Sequence, residues 1–131
     1  MKKTMLLNSH LSRVISELGH TDHIVIADAG LPIPSETERI DLALRPGTPG
    51  FWETLEAVLS EMTVEKAILA KETAEVSPSL HQKLIQALPE VSWETISHEE
   101  LKSLTRKAKA VVRTGECIPY ANVILQAGVP F

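Results

Sequence analysis

His20 follows Gly19 and precedes Thr21-Asp22-His23, so the local pattern sets an imidazole on a tight connection just ahead of an apolar run. With an ordinary pKa near about 6.5, imidazole exists in both protonation states around neutral pH, which suits proton shuttling. A polar turn residue is the plainer reading of the same position. Asp28 closes the run His23-Ile24-Val25-Ile26-Ala27 and is followed by Ala29-Gly30, small residues beside which backbone can approach a ligand. Its carboxylate suits bidentate bonding to a polyhydroxylated molecule, and suits equally a turn in which it accepts from neighbouring N–H groups. His98 stands one residue inside an expected helix start, where unpaired N–H groups favour anionic or hydroxyl-rich ligands. In isolation it reads as a solvated first-turn residue. Tyr120 and Asn122 flank Ala121 after Pro119; a phenol hydroxyl and a carboxamide on one rim supply donors and acceptors without net charge, as sugar hydroxyls require.

Other chemistries find less support. His20 and His23 lack the carboxylate or cysteine cluster of a metal site. Cys117 has no indicated base and reads as structural. His10 and His81 fall within amphipathic helices, as surface or packing residues. The chain contains no GxGxxG, GxxxxGK[ST] or GxSxG, which argues against dinucleotide, P-loop and serine-hydrolase chemistry. Thirteen Lys and Arg against seventeen Asp and Glu leave a net charge of −4, without the basic stripe that nucleic acid would need. No apolar run approaches the roughly 18 residues of a membrane span. The apolar stretch after Lys2-Lys3 ends at Asn8-Ser9-His10, too soon for a signal peptide. With a single cysteine, these features lead us to expect a cytoplasmic protein.

The elements that must position these residues alternate. Leu11, Val14, Ile15 and Leu18 form a helical stripe capped by Asn8 or Ser9 and ended by Gly19. The run 23–28 is apolar on both faces, as a buried parallel strand is. Leu31-Pro32-Ile33-Pro34 is a rigid loop. Ile40, Leu42 and Leu44 alternate as a strand. Thr48 caps a helix with Pro49 at its first position, and Phe51, Leu55, Val58, Leu59 and Met62 line its face. Val64 to Ala70 is a strand; Ser77-Pro78 opens a helix carrying Leu80, Leu84, Ile85 and Leu88. Val91 to Ile96 is a strand, and Ser97 to Glu100 has capping-box spacing for a helix through about Thr105. Ala110-Val111-Val112 and Val123-Ile124-Leu125 are the last two strands; with no helix between them, they suggest an antiparallel pair at one edge. The order predicts one domain over 1–131: a three-layer α/β/α unit with a mostly parallel, mixed sheet of about six strands. In such sheets ligands bind beyond the carboxyl ends of strands.

Leu18-Gly19-His20-Thr21-Asp22, Ile26-Ala27-Asp28-Ala29-Gly30-Leu31-Pro32, Arg39-Ile40-Asp41-Leu42, Ser97-His98-Glu99-Glu100, and Arg113-Thr114-Gly115-Glu116 with Pro119-Tyr120-Ala121-Asn122 together resemble the D-ribose pyranases, sister to the L-fucose mutarotases. The resemblance runs over essentially the whole chain. It implies a cytoplasmic, cofactor-free isomerase that interconverts the pyranose and furanose forms of D-ribose for ribokinase. It also implies a ring-shaped homo-oligomer, pentamers paired into decamers, with sites near subunit contacts. By motif, His20 matches the catalytic proton donor, and Asp28, His98, Tyr120 and Asn122 match sugar-binding positions. Ile118 departs from the small hydroxyl residue of many relatives, which bears on the shape of the rim. The rivals are mutarotation of L-fucose or another aldose, and a non-catalytic sugar-binding module of a transport system. A pure binder has no need of His20.

Overall fold

A computed structural model describes residues 1–131. Its centre is a six-stranded sheet in the order β2-β5-β1-β6-β3-β4. The strands are β1 (His23–Ala27), β2 (Glu38–Asp41), β3 (Val64–Ala70), β4 (Ser92–Ile96), β5 (Ala110–Arg113) and β6 (Val123–Ala127). β5 pairs in parallel with β1 and β2, and β3 with β4. β6 lies antiparallel to both β1 and β3, so five strands point one way and one runs back between them. The mixed α/β sheet expected from the alternation is present. Its antiparallel element is not where the sequence suggested: β5 and β6 do not pair, and β6 lies inside the sheet. Val123, Ile124 and Leu125 are all fully buried, and only an interior strand covers both faces of such a run.

The helices are α1 (Ser9–Glu17), α2 (Phe51–Leu59), α3 (Lys71–Val76), α4 (Pro78–Ala87) and α5 (His98–Leu104), with a 3₁₀ turn at Thr105–Lys107. Period-two alternation divides the core. Ile24, Ile26, Val123 and Leu125 face α1, α2 and α4, packing with Leu11, Val14, Phe51, Leu55, Val58 and Leu84. Val25, Ala27 and Ile124 turn to the other face, against Leu101 of α5 and Leu31 of the proline loop. Each such side chain fully removed from water contributes about 1.5–3 kcal/mol, which secures the layers from either side.

Asn8 caps α1, its side chain accepting from the Leu11 N–H, and Ser97 caps α5 by accepting from the Glu100 N–H. Three local expectations change. β2 stops at Asp41 because the Asp41 carboxylate accepts from the Ala43 N–H at 3.1 Å and turns the chain, leaving Leu44 exposed. α2 begins at Phe51 with Gly50 as N-cap, because Thr48 closes a turn on Arg45 instead, its N–H donating to the Arg45 carbonyl at 2.9 Å. α3 is an element that periodicity did not reveal, a short helix directly following β3. Gly115 is required where it stands: a Cβ there would lie 2.5 Å from the Arg45 carbonyl oxygen and 2.7 Å from the Thr48 nitrogen.

Candidate functional site

Four of the five sequence candidates meet at one end of the sheet. Asp28 follows β1, and His98 opens α5 immediately after β4. Tyr120 and Asn122 precede β6; because β6 runs backward, its beginning lies beside the end of β1. Asp28, His98, Tyr120, Leu31, Pro32 and Pro119 line an open cavity of about 290 Å³, near the lower limit of about 300 Å³ for small-molecule sites.

Asp28 and Asn122 are locked to each other. The Asp28 N–H donates to Asn122 Oδ1 at 2.9 Å, and Asn122 Nδ2 donates to Asp28 Oδ2 at 3.0 Å. Asn122 is 1 % exposed, so it supports Asp28 from inside the protein. Asp28 Oδ1 accepts from the Gly30 N–H at 2.9 Å. The turn reading of Asp28 is therefore present, one oxygen shaping its own turn, and the carboxylate, with about four lone-pair positions, has two left over. His98 and Tyr120 meet edge to face, their ring centroids 5.0 Å apart at 85°. The His98 Nδ1 is buried and has no protein partner. Such an atom costs about 1–3 kcal/mol if it stays unsatisfied.

Residues that sequence reasoning missed hold this rim. The Glu72 carboxylate accepts from the His98 N–H at 2.9 Å, which ties α3 to the start of α5. Thr73 Oγ1 donates to the Tyr120 carbonyl at 3.0 Å, and Ser77 Oγ donates to the Pro119 carbonyl at 2.6 Å. Ser77 does cap α4 by position, but its hydroxyl serves this turn instead. Tyr120 has φ +60°, a left-handed conformation uncommon for a bulky residue and worth about 1–3 kcal/mol of strain. The two hydroxyl donors hold it there. The Glu116 carboxylate accepts from the N–H groups of Phe51 at 3.1 Å, Cys117 at 3.0 Å and Ile118 at 3.3 Å, so it joins the start of α2 to the loop before Tyr120. The only sequence signal for these residues was polar side chains at positions that turn out buried, such as Thr73.

His20 lies elsewhere. It precedes β1 and therefore sits at the opposite end of the sheet from Asp28, separated by a five-residue strand, roughly 16 Å at about 3.3 Å per residue. Its Nε2 is 2.9 Å from Glu65 Oε2 at the start of β3. The other Glu65 oxygen accepts from Gln126 Nε2 at 2.6 Å, and Gln126 Oε1 is 3.1 Å from His23 Nε2 at the other end of the cluster. The Gln126 amide first, and then the His20 ring, hold the Glu65 carboxyl below the usual carboxylate range. His20 and His23 turn to different partners, and no three His, Cys, Asp or Glu side chains converge as metal ligands.

The sequence model of the RbsD / FucU transport protein family matches residues 1–130. A relative from Chloroflexus aggregans, named D-ribose pyranase, is 60% identical over 131 residues, covering 100% of both chains. Another of that name, from Clostridium perfringens, is 58% identical with the same coverage. Among solved structures, Bacillus subtilis RbsD complexed with D-ribose superposes with a TM-score of 0.96 at 53% identity, covering 100% of both chains. The fucose mutarotase of Streptococcus pneumoniae in complex with L-fucose gives a TM-score of 0.73 at 25% identity, over 95% of this chain and 94% of that one.

Proposed function

The chain belongs to the RbsD / FucU transport protein family, and from that premise we propose that it is an isomerase that interconverts the pyranose and furanose forms of D-ribose. The observation that carries the reading is the convergence of Asp28, His98 and Tyr120 on one small cavity from separate segments of the chain, with Asn122 bonded behind Asp28. Full-length relatives named D-ribose pyranase and a near-superposable structure holding D-ribose support ribose as the sugar.

The chemistry needs little. In opening, the anomeric O1–H gives up its proton as C1=O1 forms and C1–O5 breaks, and O5 takes a proton. In closure O4 attacks C1, loses its proton, and O1 regains one. One imidazole that accepts from O1 and delivers to O5, then accepts from O4 and delivers to O1, balances both steps. General acid–base transfer of this kind contributes about 10²–10⁴-fold. In this proposal Asp28, His98, Tyr120 and Asn122 hold the sugar, and His20 moves the proton. The acceptors on Asp28 and the free Nδ1 of His98 suit hydroxyl groups. The furanose would leave for a phosphorylating enzyme such as ribokinase, in the cytoplasm.

Since His20 stands at the far end of its own sheet, we place its contribution in a second copy. A ring in which the amino end of one subunit faces the carboxyl end of the next brings His20 to its neighbour's cavity; such a head-to-tail contact closes into a cyclic oligomer. Saturation-transfer NMR on equilibrated D-ribose measures the exchange. His20→Ala and His98→Ala chains, each inactive alone, should regain about a quarter of full activity when co-assembled in equal amounts, because random mixing leaves that share of interfaces with both residues intact. Recovery absent from oligomers proven to be mixed would overturn the shared site, and undiminished exchange in the His20→Ala protein alone would overturn His20 as the proton carrier.

A further inference from the structure

We propose that Glu65 is a positioning residue for this isomerisation: it holds the proton of His20 on Nε2 and leaves Nδ1 as the atom that trades protons with the sugar. The inference rests on the role given to His20 above. It follows from the direction of three hydrogen bonds. An ionised carboxylate can only accept, so both groups facing Glu65 must donate. Gln126 therefore turns its amide nitrogen to Oε1, at 2.6 Å, and His20 presents Nε2–H to Oε2, at 2.9 Å. With its nitrogen so committed, Gln126 has only its oxygen for His23, and the His23 Nε2 at 3.1 Å must be the donor there. The polarity of the whole chain, from His23 to His20, is thus set by one carboxylate. Burial does not set it: the His20 side chain is 55% exposed and that of Glu65 36%.

The carboxyl of Glu65 stays ionised across the neutral range, since two donors hold it below the ordinary carboxylate range. His20 consequently keeps a proton on Nε2 in both charge states. Neutral, it offers the Nδ1 lone pair to O1–H or O4–H; protonated, it offers Nδ1–H to O5 or O1. No ring flip or tautomer change intervenes between taking the proton and returning it. The backbone assists: Thr21, next in sequence, has φ +71°, and its N–H donates to the Ala127 carbonyl at 2.9 Å, anchoring the His20 turn to the end of β6. The other charged groups there are engaged elsewhere. Asp22 accepts from the Gly19 N–H at 2.8 Å and faces Lys109 at 3.7 Å, while Lys66 pairs with Glu94.

The test reads the tautomer directly. In the assembled protein labelled with nitrogen-15 histidine, the neutral His20 ring, assigned by its loss in His20→Ala, is expected to carry its proton on Nε2. A proton found on Nδ1 in the unmodified protein overturns the proposal, and this measurement needs no Glu65 variant to fold. Glu65→Gln can donate as well as accept, so it should mix the two tautomers. Its kcat for ribose exchange should fall by about 10–100-fold, the usual cost of losing a partner that orients a histidine, with KM within a few-fold. Glu65→Asp, still acceptor-only, should recover part of the loss. If His20→Ala abolishes exchange while Glu65→Gln keeps both the Nε2 tautomer and full kcat, Glu65 has no positioning role and the reading of His20 stands. If His20→Ala retains exchange, the reading of His20 fails first.

Discussion

The two ends of β1 carry polar groups built on different principles. At the carboxyl end, Asp28 and Asn122 bond to each other in a reciprocal pair with Asn122 fully enclosed, and His98 packs edge-on to Tyr120. At the amino end, His20, Glu65, Gln126 and His23 form an open chain of side chains with His20 more than half exposed. A pocket that must recognise one small molecule profits from groups that cannot move. A group that must accept and return a proton profits from one fixed nitrogen and one free one. The difference teaches that the enclosed polar set and the exposed histidine lie at opposite ends of one sheet, which is why the proposed reaction, needing both, is placed between two copies of the chain.

The largest effect that separates the two ends is expected from His20→Ala. Pyranose–furanose exchange should fall by the roughly 10²–10⁴-fold that acid–base transfer supplies, while ribose affinity in calorimetric titration stays within a few-fold. A comparable loss of affinity would break the division, since it would make His20 part of the sugar-holding set.

Asp28→Asn addresses the other end. The amide retains one acceptor but loses the charge, and hydrogen bonds to charged groups are worth about 1.5–3 kcal/mol. Ribose affinity should weaken by about tenfold or more, at about 1.4 kcal/mol per tenfold. Because Asp28 also accepts from Gly30 and Asn122, a modest fall in melting temperature should accompany it. Lowered melting with unchanged affinity would mean that the carboxylate serves its turn alone.

The smallest effect is electrostatic and confined to the amino end. The Glu65 carboxyl lies below its ordinary value of 4.5 in the folded chain, the Gln126 amide being the larger cause and His20 the next. A carboxyl lowered on folding contributes stability that is complete above its unfolded pKa and is lost as pH falls through the folded one. Acidification below the ordinary carboxylate range should therefore disturb the Gln126 side-chain amide resonances as Glu65 takes a proton. Gln126 signals that stay constant through the titration of Glu65 would remove the carboxylate from that network.

Much of this was legible before any coordinates. Asn8 and Ser97 were readable as caps because side-chain capping is local chemistry, decided within three or four residues. The strand β1 was readable from the run Ile24 to Ala27, apolar on both faces, and β3 from Ala67 to Ala70 behind its charged start. α3 was not: Lys71-Glu72-Thr73-Ala74-Glu75-Val76 has too few apolar residues to show a period, and it is held by the bonds of Glu72 and Thr73 to His98 and Tyr120. Nor were Glu72, Thr73, Ser77 and Glu116 readable as supports of the site, since the Thr73 and Ser77 hydroxyls meet carbonyls 47 and 42 positions away. Glu65 gave no signal because an acid at a strand start is an ordinary solvated residue until its neighbours across the sheet are known.

By itself the sequence determined the types of residue available for the chemistry, the alternation of strands and helices, and the motifs that carry the family resemblance, because each depends on side-chain identity and short-range spacing. Only the tertiary structure decided which of them meet. The reversed β6, inserted between β1 and β3, brings Tyr120 and Asn122 to Asp28 at one end and Gln126 to Glu65 and His20 at the other. Strand order and direction are set by which apolar runs must be covered on both faces. That is a property of the whole core, which no local stretch of the chain encodes.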